Sequence, residues 1–190
     1  EWPNNYVKAV NWVDGQVKQI FDELTKQGLA DHTIVILTAD HGEGLSDTGQ
    51  MFHGTSVLEE LLRVPLTIYI PGREGGFIDR TVGNVDILPT LEELMGGAPR
   101  HGQRGESLVP LLLDSEAAWN KPYVLMSGTG RQAGIVRGAD KALLELRTGS
   151  RAYFQLDSDP LEDADRYDPA NAHQRELLGE LVEAAPQIFS

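Results

Sequence analysis

Asp40 and His41 stand side by side where an apolar, β-branched run, Thr33–Ala39, stops; Gly42 and Glu43 follow at once. A carboxylate beside an imidazole suits a divalent cation in the zinc, manganese or magnesium–calcium range, the choice depending on the remaining ligands. Gly42 lets the backbone turn away without a side chain in front of such a cation. Two donors do not complete a coordination shell, so further acids or histidines must come from elsewhere. His53, set between Phe52 and Gly54 beyond a polar loop, is either a third ligand or a donor to an anionic substrate or its leaving group. Glu43 can support these groups from behind.

Other candidates carry less. Ser46, Thr48, Thr55 and Ser56 lie nearby, but none has the Gly-x-Ser-x-Gly setting of a nucleophile elbow. Thr55 or Ser56 is better placed as the cap of a following helix. His32, His101 and His173 fall in a turn, a polar loop and a helix start, and read as structural or surface groups. Asp157, Asp159 and Glu162 lack the glycine and final acid of an EF-hand and read as a turn. Gly42-Glu43-Gly44 is not a dinucleotide fingerprint, and no phosphate-binding P-loop is present.

The elements that must position these residues follow from periodicity. Val10, Val13, Val17, Ile20 and Leu24 recur at helical spacing, predicting a helix over 6–27 with an apolar stripe. Pro3 and Asn5 are its start signals and Gly28 its stop. Thr33–Leu37 is apolar without alternation, which suits a strand buried on both faces of a parallel sheet. Asp40 and His41 would then sit at the carboxyl end of that strand, where open α/β sheets bind ligands. A short helix is expected over 56–63, ended by Val64-Pro65, then a strand over 66–70 closed by Pro71-Gly72. A further helix spans 86–95, with Asp86 as its cap and Ile87, Leu88, Leu91 and Leu94 inward. This order predicts an α/β fold: a partial, mostly parallel sheet flanked by helices. After about residue 114, short segments over 123–126, 134–137, 141–145 and 152–156 predict a small antiparallel sheet. A C-terminal helix over 173–185 follows, with Leu177, Leu178, Leu181 and Val182 apolar. The expected division is 1–114 for the α/β part and 115–190 for the antiparallel part.

Composition narrows the function classes. The net charge of −13 argues against nucleic-acid binding, which needs a basic footprint. No apolar run approaches the roughly 20 residues of a membrane span, and no signal peptide is visible. The absence of cysteine excludes a disulfide framework and a thiolate metal site. The chain opens on Glu1-Trp2-Pro3 rather than Met, so we expect a piece of a longer protein.

Several blocks, taken together and in order, resemble the sulfatase family of the alkaline phosphatase superfamily. Tyr6 through Val35, with Gly28-Leu29-Ala30-Asp31-His32, resembles the helix and strand before the metal motif. Thr38-Ala39-Asp40-His41-Gly42-Glu43 resembles the motif itself. His53-Gly54, Glu59-Glu60 and Arg63-Val64-Pro65-Leu66 resemble the next block. Val85 to Leu91, Gly105 to Leu112, and Tyr153 to Leu156 with Asp159-Pro160-Leu161-Glu162 resemble the later ones.

The resemblance implies hydrolysis of a sulfate ester at a divalent metal, with Asp40 and His41 as metal ligands and His53 as a substrate contact. The ion would be calcium for a sulfatase, and manganese, magnesium or zinc for a phosphoesterase. In many sulfatases a lysine occupies the place of His53 and touches the sulfate and leaving-group oxygen. The family nucleophile, a formylglycine or a serine or threonine, lies in an N-terminal half, as do the other acidic ligands. We therefore expect this chain to be the C-terminal portion, inactive alone and a poor metal binder without its other half. The alternatives are a phosphoester or phosphonate hydrolase, a phospho-group transferase, and a non-catalytic membrane-associated relative. A periplasmic, secreted or membrane-anchored location is compatible with the resemblance.

Overall fold

The structure, a computed structural model, describes residues 2–45, 51–98, 100 and 102–188. Ser46, Thr48 and His101, weighed above, lie outside the described residues. Helix α1 (Trp2–Lys26) is longer than its period predicts. Pro3 falls in its first turn, where no intrahelical N–H is required. Of the apolar stripe, only Val17 and Leu24 are partly buried; Phe21, which is not part of it, meets Tyr69 edge-on, with ring centroids 5.4 Å apart. Val10, Val13 and Ile20 remain about half exposed, at 50%, 49% and 55%. Among the described residues, no helix is long and apolar enough to cross a membrane.

A 3₁₀ turn, Ala30–His32, leads into β1 (Val35–Thr38). The expected parallel sheet is not what forms around it. β1 pairs antiparallel with β4 (Leu66–Tyr69), in the register Val35↔Tyr69 to Thr38↔Leu66. The reason lies in the connection. Between these strands the chain makes a small hairpin, β2 (Gly44–Leu45) with β3 (Met51–Phe52), and a single helical turn, α2 (Glu59–Leu62). A parallel return needs a full crossover, usually a helix. The chain instead reverses.

α2 is shorter than its expected span, and neither Thr55 nor Ser56 caps it. Its first N–H, that of Glu59, donates instead to Glu162 Oε2 at 2.5 Å, from 103 residues away. Lys141, fully buried, donates to Glu59 Oε1 at 2.8 Å. The same ammonium forms an ion pair with Glu162 Oε1 at 2.8 Å. Burial pushes the Glu162 carboxyl above its usual range, and the Lys141 ammonium opposes that rise. Asp159 closes the neighbouring turn by accepting the N–H groups of Asp163 and Ala164, as the sequence suggests for that segment.

A 3₁₀ turn, Asn84–Asp86, runs into α3 (Ile87–Leu94). Leu88 is 53% exposed, contrary to its expected inward place, whereas Pro89 and Thr90 are buried. Asp86 makes no side-chain cap for α3. Its carboxylate, fully buried, accepts from Gly83 N, Glu106 N, Lys121 Nζ and Tyr123 Oη. These contacts fasten the start of α3 to the chain that follows α4 (Val109–Leu113).

The antiparallel sheet forms as the sequence predicts, in the order β5 (Pro122–Met126), β6 (Gln132–Arg137), β7 (Asp140–Glu145), β8 (Arg151–Gln155). Helix α5 (Ala172–Ile188) covers one face. Leu177, Leu178 and Leu181 pack there on Ala133, Ile135, Ala142 and Tyr153, while Val182 stays 57% exposed. A second apolar cluster joins Val57 to Leu143 and Phe154, so the sheet backs directly onto the segment that follows His53.

Burial acts against the ionised form of Asp86. The hydrogen bonds from Lys121, Tyr123, Glu106 N and Gly83 N outweigh it and hold the carboxyl below the usual range. A carboxyl depressed in the folded state contributes stability above its unfolded pKa of about 3.9, and that contribution is lost as pH falls through the folded value. Asp86→Asn leaves Lys121 without its counter-charge and is expected to cost about 3 kcal/mol at pH 7. In urea unfolding, the gap between wild type and variant should shrink below pH 4. A gap that stays constant down to pH 2 contradicts this account.

Candidate functional site

The site lies just beyond the end of β1. Asn84 anchors that end from another part of the chain: its Nδ2 donates to Ala39 O at 2.9 Å, and Thr38 Oγ1 donates to Asn84 Oδ1 at 3.3 Å. The chain then turns sharply. Gly42 N donates to Leu61 O at 2.7 Å, and a Cβ on Gly42 would meet Glu60 O at 2.1 Å. No other residue fits between β1 and α2 without displacing backbone. This close approach aims Asp40 and His41 outward.

Asp40 Oδ1 accepts the backbone N–H of His41 at 3.0 Å, and its side chain is 89% exposed. His41 Nδ1 lies 2.8 Å from Gly42 O. A carbonyl only accepts, so Nδ1 carries the hydrogen and Nε2 presents its lone pair. That lone pair stands 3.7 Å from Asp40 Oδ2. One cation bound about 2.0–2.5 Å from each atom can span this separation. The donor set, a carboxylate oxygen and a neutral imidazole nitrogen, therefore fits a divalent metal. Among the described residues, no group of three or more His, Asp or Glu gathers here to complete a shell.

The β2–β3 hairpin, in the register Gly44↔Phe52, returns the chain so that His53 reaches His41. The two rings stack with centroids 4.2 Å apart and planes 28° from parallel. His53 Nδ1 faces the Glu43 carboxylate, at 3.3 and 3.4 Å from its oxygens. A carboxylate also only accepts, so Nδ1–H is taken and Nε2 is left for another partner. Phe52 holds φ 67° and Gly54 φ 81°, a sharp backbone reversal on both sides of His53. For Phe52, a residue with a Cβ, this left-handed conformation is uncommon. The three residues singled out from sequence, Asp40, His41 and His53, thus lie together, with Glu43 behind His53.

His32 is exposed in its 3₁₀ turn, and His173 pairs with Asp140, Nε2 to Oδ2 at 3.0 Å; neither approaches this cluster. Sequence reasoning missed Asn84 and the support that reaches His53 from the β5–β6 turn. Thr129 N donates to Gly54 O at 3.1 Å. Gln132 Oε1 accepts Val57 N at 3.1 Å from 75 residues away. No local pattern announces such partners.

The family model described as Sulfatase matches residues 2–98. An extracellular sulfatase SULF-1 homolog of Drosophila melanogaster is 31% identical over 166 residues, covering 83% of this chain and 15% of its own length. A protein solved in complex with its substrate D-glucosamine-2-N,6-O-disulfate superposes with a TM-score of 0.75 at 25% identity, covering 94% of this chain and 39% of the other. The phosphonate monoester hydrolase of Agrobacterium radiobacter superposes with a TM-score of 0.71 at 25% identity, covering 92% of this chain and 39% of the other. The chain spans less than half the length of these relatives.

The Gly42 contact yields a test with a built-in control. Gly42→Ala is expected to lower unfolding stability by about 1–3 kcal/mol. Gly15→Ala, within α1 and with nothing inside 4 Å of its added Cβ, is expected to raise it by about 0.5–1 kcal/mol. Thermal unfolding of both variants checks the contrast; equal shifts contradict it.

Proposed function

We propose, from the premise that this chain belongs to the sulfatase family, that it forms one wall of a metal-dependent site for hydrolysing sulfate esters. The other wall, with the nucleophile and the remaining metal ligands, belongs to the part of the relatives' length that this chain does not span. The observation that carries the reading is the meeting of Asp40, His41 and His53 at the end of β1, within the span matched by the family. Alone, the chain is inactive on this reading.

Asp40 and His41 would hold the divalent ion through Oδ2 and Nε2. Held there, such an ion would supply Lewis-acid polarisation of the ester and offset negative charge on the attacked group. In the neutral ring, Gly42 O holds the hydrogen of His41 on Nδ1, so Nε2 is the nitrogen left to face the metal. His53 contacts the sulfate or the ester oxygen that leaves, through Nε2. With Nδ1–H committed to Glu43, that atom donates when the ring carries both protons and otherwise accepts. Glu43 and the stacked His41 ring together restrict how His53 can turn. Calcium is the ion that the sulfatase reading implies, which calls for mostly oxygen donors among the remaining ligands; manganese, magnesium or zinc would suit a phosphoesterase. The second reading, hydrolysis of a phosphonate or phosphate ester, draws on the similarity to the Agrobacterium enzyme.

The test uses the intact protein, with aryl sulfate and aryl phosphodiester substrates. Asp40→Ala is expected to lower kcat/KM at least about a hundredfold and to weaken metal binding measured by calorimetry. His53→Ala is expected to lower kcat about 10²–10³-fold while leaving metal affinity in place. Full activity in Asp40→Ala sinks the metal assignment. Faster turnover of the phosphodiester than of the sulfate replaces the first reading with the second.

A further inference from the structure

We infer that the β5–β6 turn, Ser127–Gln132, positions His53, and that Gln132 is the residue through which it acts. The inference rests on the reading of His53 as the contact to the ester oxygen. His53 follows a residue, Phe52, whose positive φ is sparsely populated for a side chain with a Cβ. Such backbone persists only where its surroundings over-determine it. The segment that bears His53 is held at two points from the same distant turn.

The first point is Gly54, immediately after His53, whose carbonyl accepts Thr129 N at 3.1 Å. A Cβ on Gly128 would stand 3.3 Å from that same carbonyl oxygen, so turn and segment are in close backbone contact. The second is Val57, only 1% exposed, whose N–H donates to Gln132 Oε1 at 3.1 Å. The turn is itself rigid. Ser127, 5% exposed, donates its N–H to Gln132 O at 2.9 Å. Its Oγ accepts Gln132 N at 3.1 Å and Arg131 N at 3.3 Å, and it pairs with Thr129 Oγ1 at 3.2 Å. Gln132 is therefore fixed through its backbone and reaches Val57 with its side chain. Only the amide oxygen of Gln132 is used toward Val57, so an oxygen at that place is what the function requires.

Gln132 touches no reacting atom on this account. Its loss acts by letting His53 move off the His41 ring, and misplacement of a leaving-group contact by about 1 Å is worth up to about a hundredfold in rate. The defect should grow as the leaving group becomes more basic, because a poor leaving group depends most on a hydrogen bond to its oxygen.

The test uses the intact enzyme and two aryl sulfates, one with an acidic phenol and one with a weakly acidic phenol. Gln132→Met matches the side chain in length but lacks the acceptor; Gln132→Glu keeps it. Gln132→Met is expected to lower kcat about ten- to a hundredfold on the poor leaving group and less than about threefold on the good one, with little change in KM. Gln132→Glu restores most of the difference. Gly128→Ala, a milder change that presses on Gly54 O, should reproduce the leaving-group dependence if Gln132→Met does not fold. Equal losses on both substrates assign a merely structural role and overturn the inference. So does an unaltered Gln132→Met when His53→Ala shows the leaving-group dependence. If His53→Ala itself shows none, the reading of His53 has failed, and the two failures are told apart.

Discussion

The arrangement of the site turns on one backbone contact. Gly42 donates its N–H to Leu61 O at 2.7 Å, and the approach leaves no room for a Cβ. This contact ends the path of β1 and throws Asp40 and His41 to the outside. It can do so only if α2 is itself fixed. That single helical turn is too short to stand on its own hydrogen bonds. It is held by Lys141 of β7 and by Glu162 from the turn after β8, both of which bond to Glu59, and by Val57 packed on Leu143 and Phe154. The rim that bears Asp40 and His41 is thus aimed by a sheet that contributes neither Asp40, His41 nor His53.

Buried charge, rather than apolar area alone, makes the joints. Asp86 gathers donors from Gly83, Glu106, Lys121 and Tyr123. Burial and the facing Asp86 carboxylate push the Tyr123 hydroxyl upward, so it stays a donor in this network. Lys141 answers two carboxylates at once. Such groups contribute little net stability against well-packed apolar substitutes, yet removing one partner is costly. Their value here is geometrical: each fixes which segment lies against which.

What the sequence made legible was mostly local. Asp40 and His41 are neighbours at the end of an apolar run, and that adjacency survives folding. The antiparallel sheet was legible because its turns, such as Gly138-Ala139-Asp140, punctuate the chain at regular intervals. The direction of the β1–β4 pair was not, because a run such as Thr33–Leu37 reads alike whichever way its neighbour points. The helix face failed at Leu88 for a related reason: periodicity shows that a face is apolar, not that something covers it. The caps failed because their partners are remote. Glu162 stands in for Thr55 or Ser56, and Asp86 spends its oxygens on other segments. Asn84 and Gln132 support the site from far along the chain, and no spacing rule could have paired them with Ala39 and Val57.

The reach of these contacts sets an order of events during synthesis. Glu59 waits for Glu162, 103 residues later, and Val57 waits for Gln132, 75 residues later. At roughly 5–20 residues per second, the first delay is on the order of five to twenty seconds. Through that interval the segment carrying Asp40, His41 and His53 has left the ribosome without the partners that shape it. The site is therefore assembled late, when the last strands arrive, and a chain stopped before Glu162 would carry the chemical groups without their geometry.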